Sequence, residues 1–173
     1  MSGFFGCVSR KECVADVFYG TDYHSHLGTK KAGMAFFNGE DFVRSIHSIE
    51  SAYFRNKFEP ELERFRESYL GIGVISDMES QPITVTSHLG RFAVVTVGRI
   101  DNLDDIVAGL LKEKIHFAEL SGSTINPTEV VSILINKGET FKEGIENVYK
   151  KVKGSCSFLI LTDSCIYAAR DKF

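Results

Sequence analysis

The apolar residues of this chain switch spacing along its length, and the order of the switches restricts the fold more than any single motif. After one helical stripe near the start, short strand-like runs occupy the segment to about residue 100, three helical stripes follow, and two further strand-like runs close the chain. Strands that come in adjacent pairs are antiparallel, whereas a doubly wound parallel sheet needs strict alternation of strand and helix. The expected class is therefore α+β, with mostly antiparallel sheets covered by helices.

The individual runs support this. Gly3-Phe4-Phe5-Gly6-Cys7-Val8 is short and apolar at the N-terminus, so it is expected to be a strand held inside a sheet. Between Arg10 and Tyr19, Cys13, Val14, Val17 and Phe18 recur at helical spacing, predicting a one-sided helix that stops near Gly20 and a polar loop from there to Lys31. Ala32–Phe37 and Asp41–Ile46 flank Asn38-Gly39, a dipeptide suited to the positive φ of a hairpin turn. A charged helical stretch is expected around Pro60 to Glu67, then strands at Leu70–Ile75, Ile83–Ser87 and Phe92–Val97. Leu103, Ile106, Val107, Leu110 and Leu111 form the next stripe, with Asp101 or Asn102 available as N-cap. Asn126-Pro127-Thr128-Glu129 places a capping Asn, a Pro at the first helical position and a Glu at the third. Thr140 to Val152 repeats the cap spacing with Glu143, and Ser157–Leu161 with Ile166–Arg170 predicts a last hairpin.

Composition narrows the function classes. At 173 residues, with 43% hydrophobic and 25% charged, the chain fits one domain with its own core. Twenty basic against 23 acidic residues leave a net charge of −3, too balanced for an electrostatic nucleic-acid binder. No apolar run reaches the roughly 18–20 residues that span a bilayer, and the start lacks a signal-peptide pattern. A cytoplasmic protein without nucleic-acid or membrane partners is expected. Cys7, Cys13, Cys156 and Cys165 form no C-x-x-C pair and are expected as reduced thiols. His24-x-His26 has no third ligand at matching spacing, so no metal is expected. Gly71-x-Gly73 lacks the helix of a dinucleotide fingerprint. Arg91 and Arg99 flank a strand and are read as a solvated edge or, in a remodelled pocket, as anion partners. His47, His88 and His116 are isolated.

Five landmarks, taken in order and spacing, carry a resemblance. Ser2-Gly3-Phe4-Phe5-Gly6, Tyr19-Gly20 with His26-x-Gly28 and Ala32-Gly33, Gly71-Ile72-Gly73-Val74, Val97-Gly98 and Tyr167-Ala168-Ala169-Arg170-Asp171 together resemble the class II glutamine amidotransferase domain, the N-terminal part of amidophosphoribosyltransferases. The resemblance spans nearly the whole chain. It implies a four-layer αββα sandwich of the N-terminal nucleophile hydrolase type over residues 1–173, as a fragment of a longer protein with a C-terminal phosphoribosyltransferase domain. It also implies release of ammonia from glutamine in purine synthesis, no cofactor in this domain, and leaves a homo-oligomer open.

The same resemblance assigns site positions, and several carry unexpected side chains. Ser2 stands at the position of the N-terminal Cys nucleophile, whose own amine serves as base. Ser76 stands where an Arg pairs the substrate carboxylate, Pro127 where an Asp pairs its ammonium, and Val97 where an Asn side chain completes the oxyanion hole. Gly98 keeps the backbone donor, and Leu27 replaces an Arg of the His-Arg-Gly loop. Two readings follow. One is a scaffold or regulatory module with its glutaminase lost or very weak. The other is a Ser-dependent amidohydrolase that still releases ammonia.

Overall fold

A computed structural model describes residues 2–27, 30–77, 79–121 and 124–170, the side chains of Leu27, Leu120 and Ser121 excepted. Gly28 and Asp171, two of the landmark residues, lie outside the described residues.

Two four-stranded antiparallel sheets organise the chain. The first contains β1 (Gly3–Val8), β2 (Lys31–Phe37), β3 (Phe42–Ser48) and β4 (Leu70–Ser76) in the order β1-β4-β2-β3. The second contains β5 (Ile83–Ser87), β6 (Gly90–Ile100), β9 (Gly154–Leu161) and β10 (Ile166–Ala169) in the order β10-β9-β6-β5. Helices α1 (Val14–Asp22) and α2 (Phe54–Phe58) cover the first sheet, while α3 (Leu103–Lys112), α4 (Pro127–Asn136) and α5 (Phe141–Lys151) cover the second. The small pair β7 (Leu120–Ser121) and β8 (Thr124–Ile125), which sequence spacing does not announce, leads into α4.

Alternation along the strands builds three separate cores, and these prove the four layers. On β2, Ala32, Met34 and Phe36 face α1 and α2, while Ala35 faces the other sheet. On β4, Ile72 and Val74 enter the layer between the sheets, where they meet Ala93 and Val95 of β6 and Leu159 and Leu161 of β9. The alternate residues of those strands, Phe92 and Val94, Phe158 and Ile160, pack under α3, α4 and α5 with Val130, Leu134 and Val148. A strand buried on both faces reads as a continuous apolar run, which is why the alternation is muted in the sequence. The expected αββα sandwich is the observed architecture.

Local differences have identifiable causes. Helix α1 begins at Val14 rather than Arg10 and runs through Gly20 to Asp22. Gly20 is there for contact and not for termination, since a Cβ would lie 2.4 Å from the Phe5 ring. The charged stretch after Phe58 is a 3-10 segment over Glu59–Phe65, with Pro60 near its start and Phe65 buried. Asn102 caps α3 by position, yet its side chain makes no cap bond: it donates to the Lys151 carbonyl and accepts from the Lys153 N–H. Asn126 and Thr140 do cap as their sequences predict, accepting from the N–H groups of Thr128 and Glu143. The Asn38-Gly39 turn forms the β2–β3 hairpin, with φ +95° at Gly39 and the Asn38 side chain accepting from Glu40 and Asp41.

Candidate functional site

A cavity of about 180 Å³ opens where the start of β1 meets the ends of β6 and β9 and the first residues of α3 and α4. Ser2 lines it from the chain start, Val97 and Gly98 from β6, Leu103 from α3, Pro127 from α4, and Ser155 and Cys156 from β9. Four of the six positions singled out in the sequence, Ser2, Val97, Gly98 and Pro127, are thus brought to one cavity from three distant segments. Ser76 is not among its lining residues. It is 1% exposed at the end of β4, and its hydroxyl donates to the Glu79 carbonyl. Glu79 itself lines the cavity. The Leu27 side chain lies outside the described residues.

Gly98 fits its place for a steric reason. Its φ is +141°, and a Cβ built there would fall 2.1 Å from the Ser155 carbonyl oxygen. Only glycine accepts both that conformation and that approach at low cost. Beside it, Val97 presents an aliphatic side chain with no hydrogen-bonding atom.

Behind the cavity lies a polar network that the sequence reading missed. Gln81, 2% exposed, donates from Nε2 to the Thr96 carbonyl at 3.0 Å and accepts at Oε1 from the Thr96 N–H at 2.7 Å. The Thr128 hydroxyl also donates to Gln81 Oε1 at 3.0 Å and shares a 2.6 Å bond with the Thr96 hydroxyl. Asn126 accepts from the Thr128 N–H at 2.9 Å and donates to the Ser80 carbonyl at 2.7 Å. The start of α4, the Ser80-Gln81 segment and β6 are therefore locked together one residue from Val97. The only sequence signal was the Asn126 cap; a lone Gln before Pro82 carries none.

The two arginines read from the sequence as a solvated edge or as anion partners differ from one another. Arg99 lines the cavity but is 89% exposed and pairs with its neighbour Asp101 at 3.0 Å. Arg91 is elsewhere, paired with Asp41 and donating to the Glu40 carbonyl. His24 and His26 each meet the Tyr23 ring edge-on, and no group of three or more metal-capable side chains occurs among the described residues. All four cysteines are free. Burial, then the neighbouring Cys7 and Asp16, pushes the Cys13 thiol up to about 12, and burial also raises Cys7.

A second polar cluster lies away from this cavity, on β3 and the 3-10 segment. Ser45 donates to one Glu61 carboxylate oxygen, and His47 Nε2 lies 3.0 Å from the other. The same Nε2 is 3.1 Å from Ser45 Oγ, so the ring does not stand between hydroxyl and carboxylate through its two nitrogens as a catalytic triad requires. The cluster pins the segment to the strand. Burial raises the Glu61 carboxyl, but the Ser45 hydroxyl, His47 and Arg64 outweigh it and hold it below its ordinary value.

Over 99% of its length the chain is 27% identical to an amidophosphoribosyltransferase of Methanocaldococcus jannaschii, of which it spans 38%. A solved glutamine phosphoribosylpyrophosphate amidotransferase from B. subtilis, complexed with ADP and GMP, superposes with a TM-score of 0.83 at 23% identity, over 99% of this chain and 37% of that one. A structure described as the allosteric regulatory enzyme of purine biosynthesis gives 0.84 at 23% identity and the same coverage. The chain thus spans less than two fifths of the relatives it matches, and at this identity the two structures establish the fold. No helix among the described residues is long and apolar enough to cross a membrane. Residues 68–173, which contain β4 to β10 and most of the cavity wall, match the glutamine amidotransferase domain model, and the chain belongs to that family.

Proposed function

We propose that this chain is the amidotransferase-like domain of an amidophosphoribosyltransferase-like protein of purine synthesis, in which the glutaminase is lost or drastically weakened. It serves there as a scaffold or regulatory module for a C-terminal phosphoribosyltransferase domain in the cytoplasm. The observation that carries this reading is the set of side chains that stand at the site positions the resemblance assigns, two of which, Val97 and Pro127, line the cavity. Where the resemblance puts an oxyanion donor, a carboxylate partner and an ammonium partner, the chain has Val97, Ser76 and Pro127. Removing an Asn-type oxyanion donor costs about 10²–10³-fold in rate. A substrate carboxylate buried without a partner costs several kcal/mol more. Ser76 cannot supply that partner, since its hydroxyl is committed to the Glu79 carbonyl.

A second reading is favoured by one observation, that Ser2 lines the same cavity as Gly98. A serine freed of Met1 has a hydroxyl beside a terminal amine, which is a workable nucleophile and base. Intact mass before and after incubation with an electrophilic glutamine analogue, with ammonia release from glutamine measured alongside, separates the two. The module reading expects no adduct and no ammonia above background. One adduct at Ser2 on a chain lacking Met1, together with ammonia release, overturns it in favour of the serine amidohydrolase.

A further inference from the structure

Two of the four cysteines meet. Phe5 and Cys7 of β1 pack on the α1 side of the first sheet, against the buried cluster that contains Cys13. The Cys7 and Cys13 side chains are hydrogen-bonded to each other. Cys13 stands at the N-cap of α1, where Ser, Thr, Asp or Asn is usual, yet its thiol makes no cap bond. The connection between the two cysteines is anchored along its length. The Ser9 N–H donates to the Tyr69 carbonyl and the Cys13 N–H to the Ser68 carbonyl, both at 2.9 Å, and the Glu12 carboxylate accepts from the Glu67 N–H at 2.9 Å. Access is one-sided: Cys13 is 0% exposed, whereas Cys7 is part-exposed on β1, an edge strand of its sheet.

Burial is the largest cause that raises both thiols, and Asp16 raises both further. The bond between them separates the two, since it lowers Cys7 and raises Cys13. The proton therefore stays on Cys13 and the thiolate, which is the nucleophile, forms first at the accessible sulfur. We propose that Cys7 and Cys13 form a redox-sensitive pair, in which Cys7 attacks a small-molecule disulfide such as oxidised glutathione and Cys13 then closes an internal disulfide that ties β1 to the start of α1. In the first step the Cys7 thiolate bonds to one glutathione sulfur, the glutathione S–S bond breaks, and one glutathione leaves as its thiolate. In the second step Cys13 loses its proton to water and attacks the Cys7 sulfur, and the other glutathione leaves as its thiolate. Two protein thiols are oxidised and one glutathione disulfide is reduced to two thiols. The pair acts independently of whether Ser2 hydrolyses glutamine.

The test incubates the folded chain with oxidised glutathione, quenches with acid, alkylates the remaining thiols and maps peptides without reduction. Trypsin cuts after Arg10 and Lys11, between the two cysteines, so an internal bond leaves two peptides joined through Cys7 and Cys13. The wild type is expected to lose two hydrogens and give that joined pair. Cys13→Ser is expected to stop at a Cys7–glutathione adduct, and Cys7→Ser to leave Cys13 reduced. Amide hydrogen exchange over the first turn of α1, from Val14, is expected to slow in the oxidised protein, because the new bond holds that turn on β1. No internal link in the folded protein, a link that forms only in urea, an adduct on Cys13 in place of Cys7, or unchanged exchange at α1 in the linked form overturns the proposal.

Discussion

The side-chain amide of Gln81 pairs with both backbone groups of Thr96, its Nε2 on the carbonyl and its Oε1 on the N–H. It acts as one more strand residue. Strand β5 begins only at Ile83, opposite Val94, so the part of β6 beyond it has no neighbour on that side, and Gln81 supplies the two missing bonds at Thr96. Because the amide also accepts from Thr128, one side chain fixes the distance between β6 and the start of α4, on which the cavity wall depends.

Gln81→Ala should therefore lower stability by about 2–4 kcal/mol, the cost of leaving partly buried backbone groups unpaired. Thr128→Val, which removes hydroxyl bonds but keeps shape, should cost about 1 kcal/mol. Urea unfolding of both variants checks the ranking. An equal cost for the two would mean that the Gln81–Thr96 pairing is replaced by water at little expense.

Gly98→Ala combines a φ of +141° with a Cβ driven toward the Ser155 carbonyl. The expected loss is about 2–4 kcal/mol, from backbone strain and overpacking together. Gly39→Ala makes the control, since its φ is +95° but nothing lies within 4 Å of the added atom. That variant should lose only about 1 kcal/mol. Thermal melts of the pair separate the steric part from the conformational part.

Acid should loosen the contact between β3 and the 3-10 segment. The folded Glu61 carboxyl sits below its ordinary value of 4.5, held there, against the upward push of burial, by Ser45, His47 and Arg64. A carboxyl lowered on folding adds stability that is fully present above its unfolded value and is lost as pH falls through the folded one. Stability measured at decreasing pH should fall more steeply in the wild type than in Glu61→Gln below about pH 4.5. Parallel curves would show that the cluster contributes nothing to acid sensitivity.

The cysteines should differ in reactivity in the native protein. Cys13 is fully buried with its thiol raised to about 12, so almost no thiolate forms at pH 8. Cys165 is part-exposed in the last hairpin. Brief alkylation followed by peptide mass mapping should label Cys165 and leave Cys13 unmodified until the protein is unfolded. Labelling of Cys13 in the folded state would mean that α1 opens readily from the first sheet.

What the residues determine locally is legible in the sequence itself. The Asn38-Gly39 turn, the caps at Asn126 and Thr140 and the apolar spacing of the strands depend on neighbours a few residues away, and each appears where its pattern predicts. The Ser2, Val97, Gly98 and Pro127 positions could be named because the family landmarks keep their order along the chain. The tertiary structure decided what depends on contacts between distant segments. It divided the strand residues among three cores, carried α1 past Gly20 because Phe5 lies against it, and turned Asn102 from its own helix to Lys151 and Lys153. It also made Gln81 a structural tie and kept the Ser76 side chain out of the cavity while bringing Glu79 in. A polar side chain carries no record in the sequence of which backbone it will meet, because that partner becomes its neighbour only when the two sheets and their helices have packed.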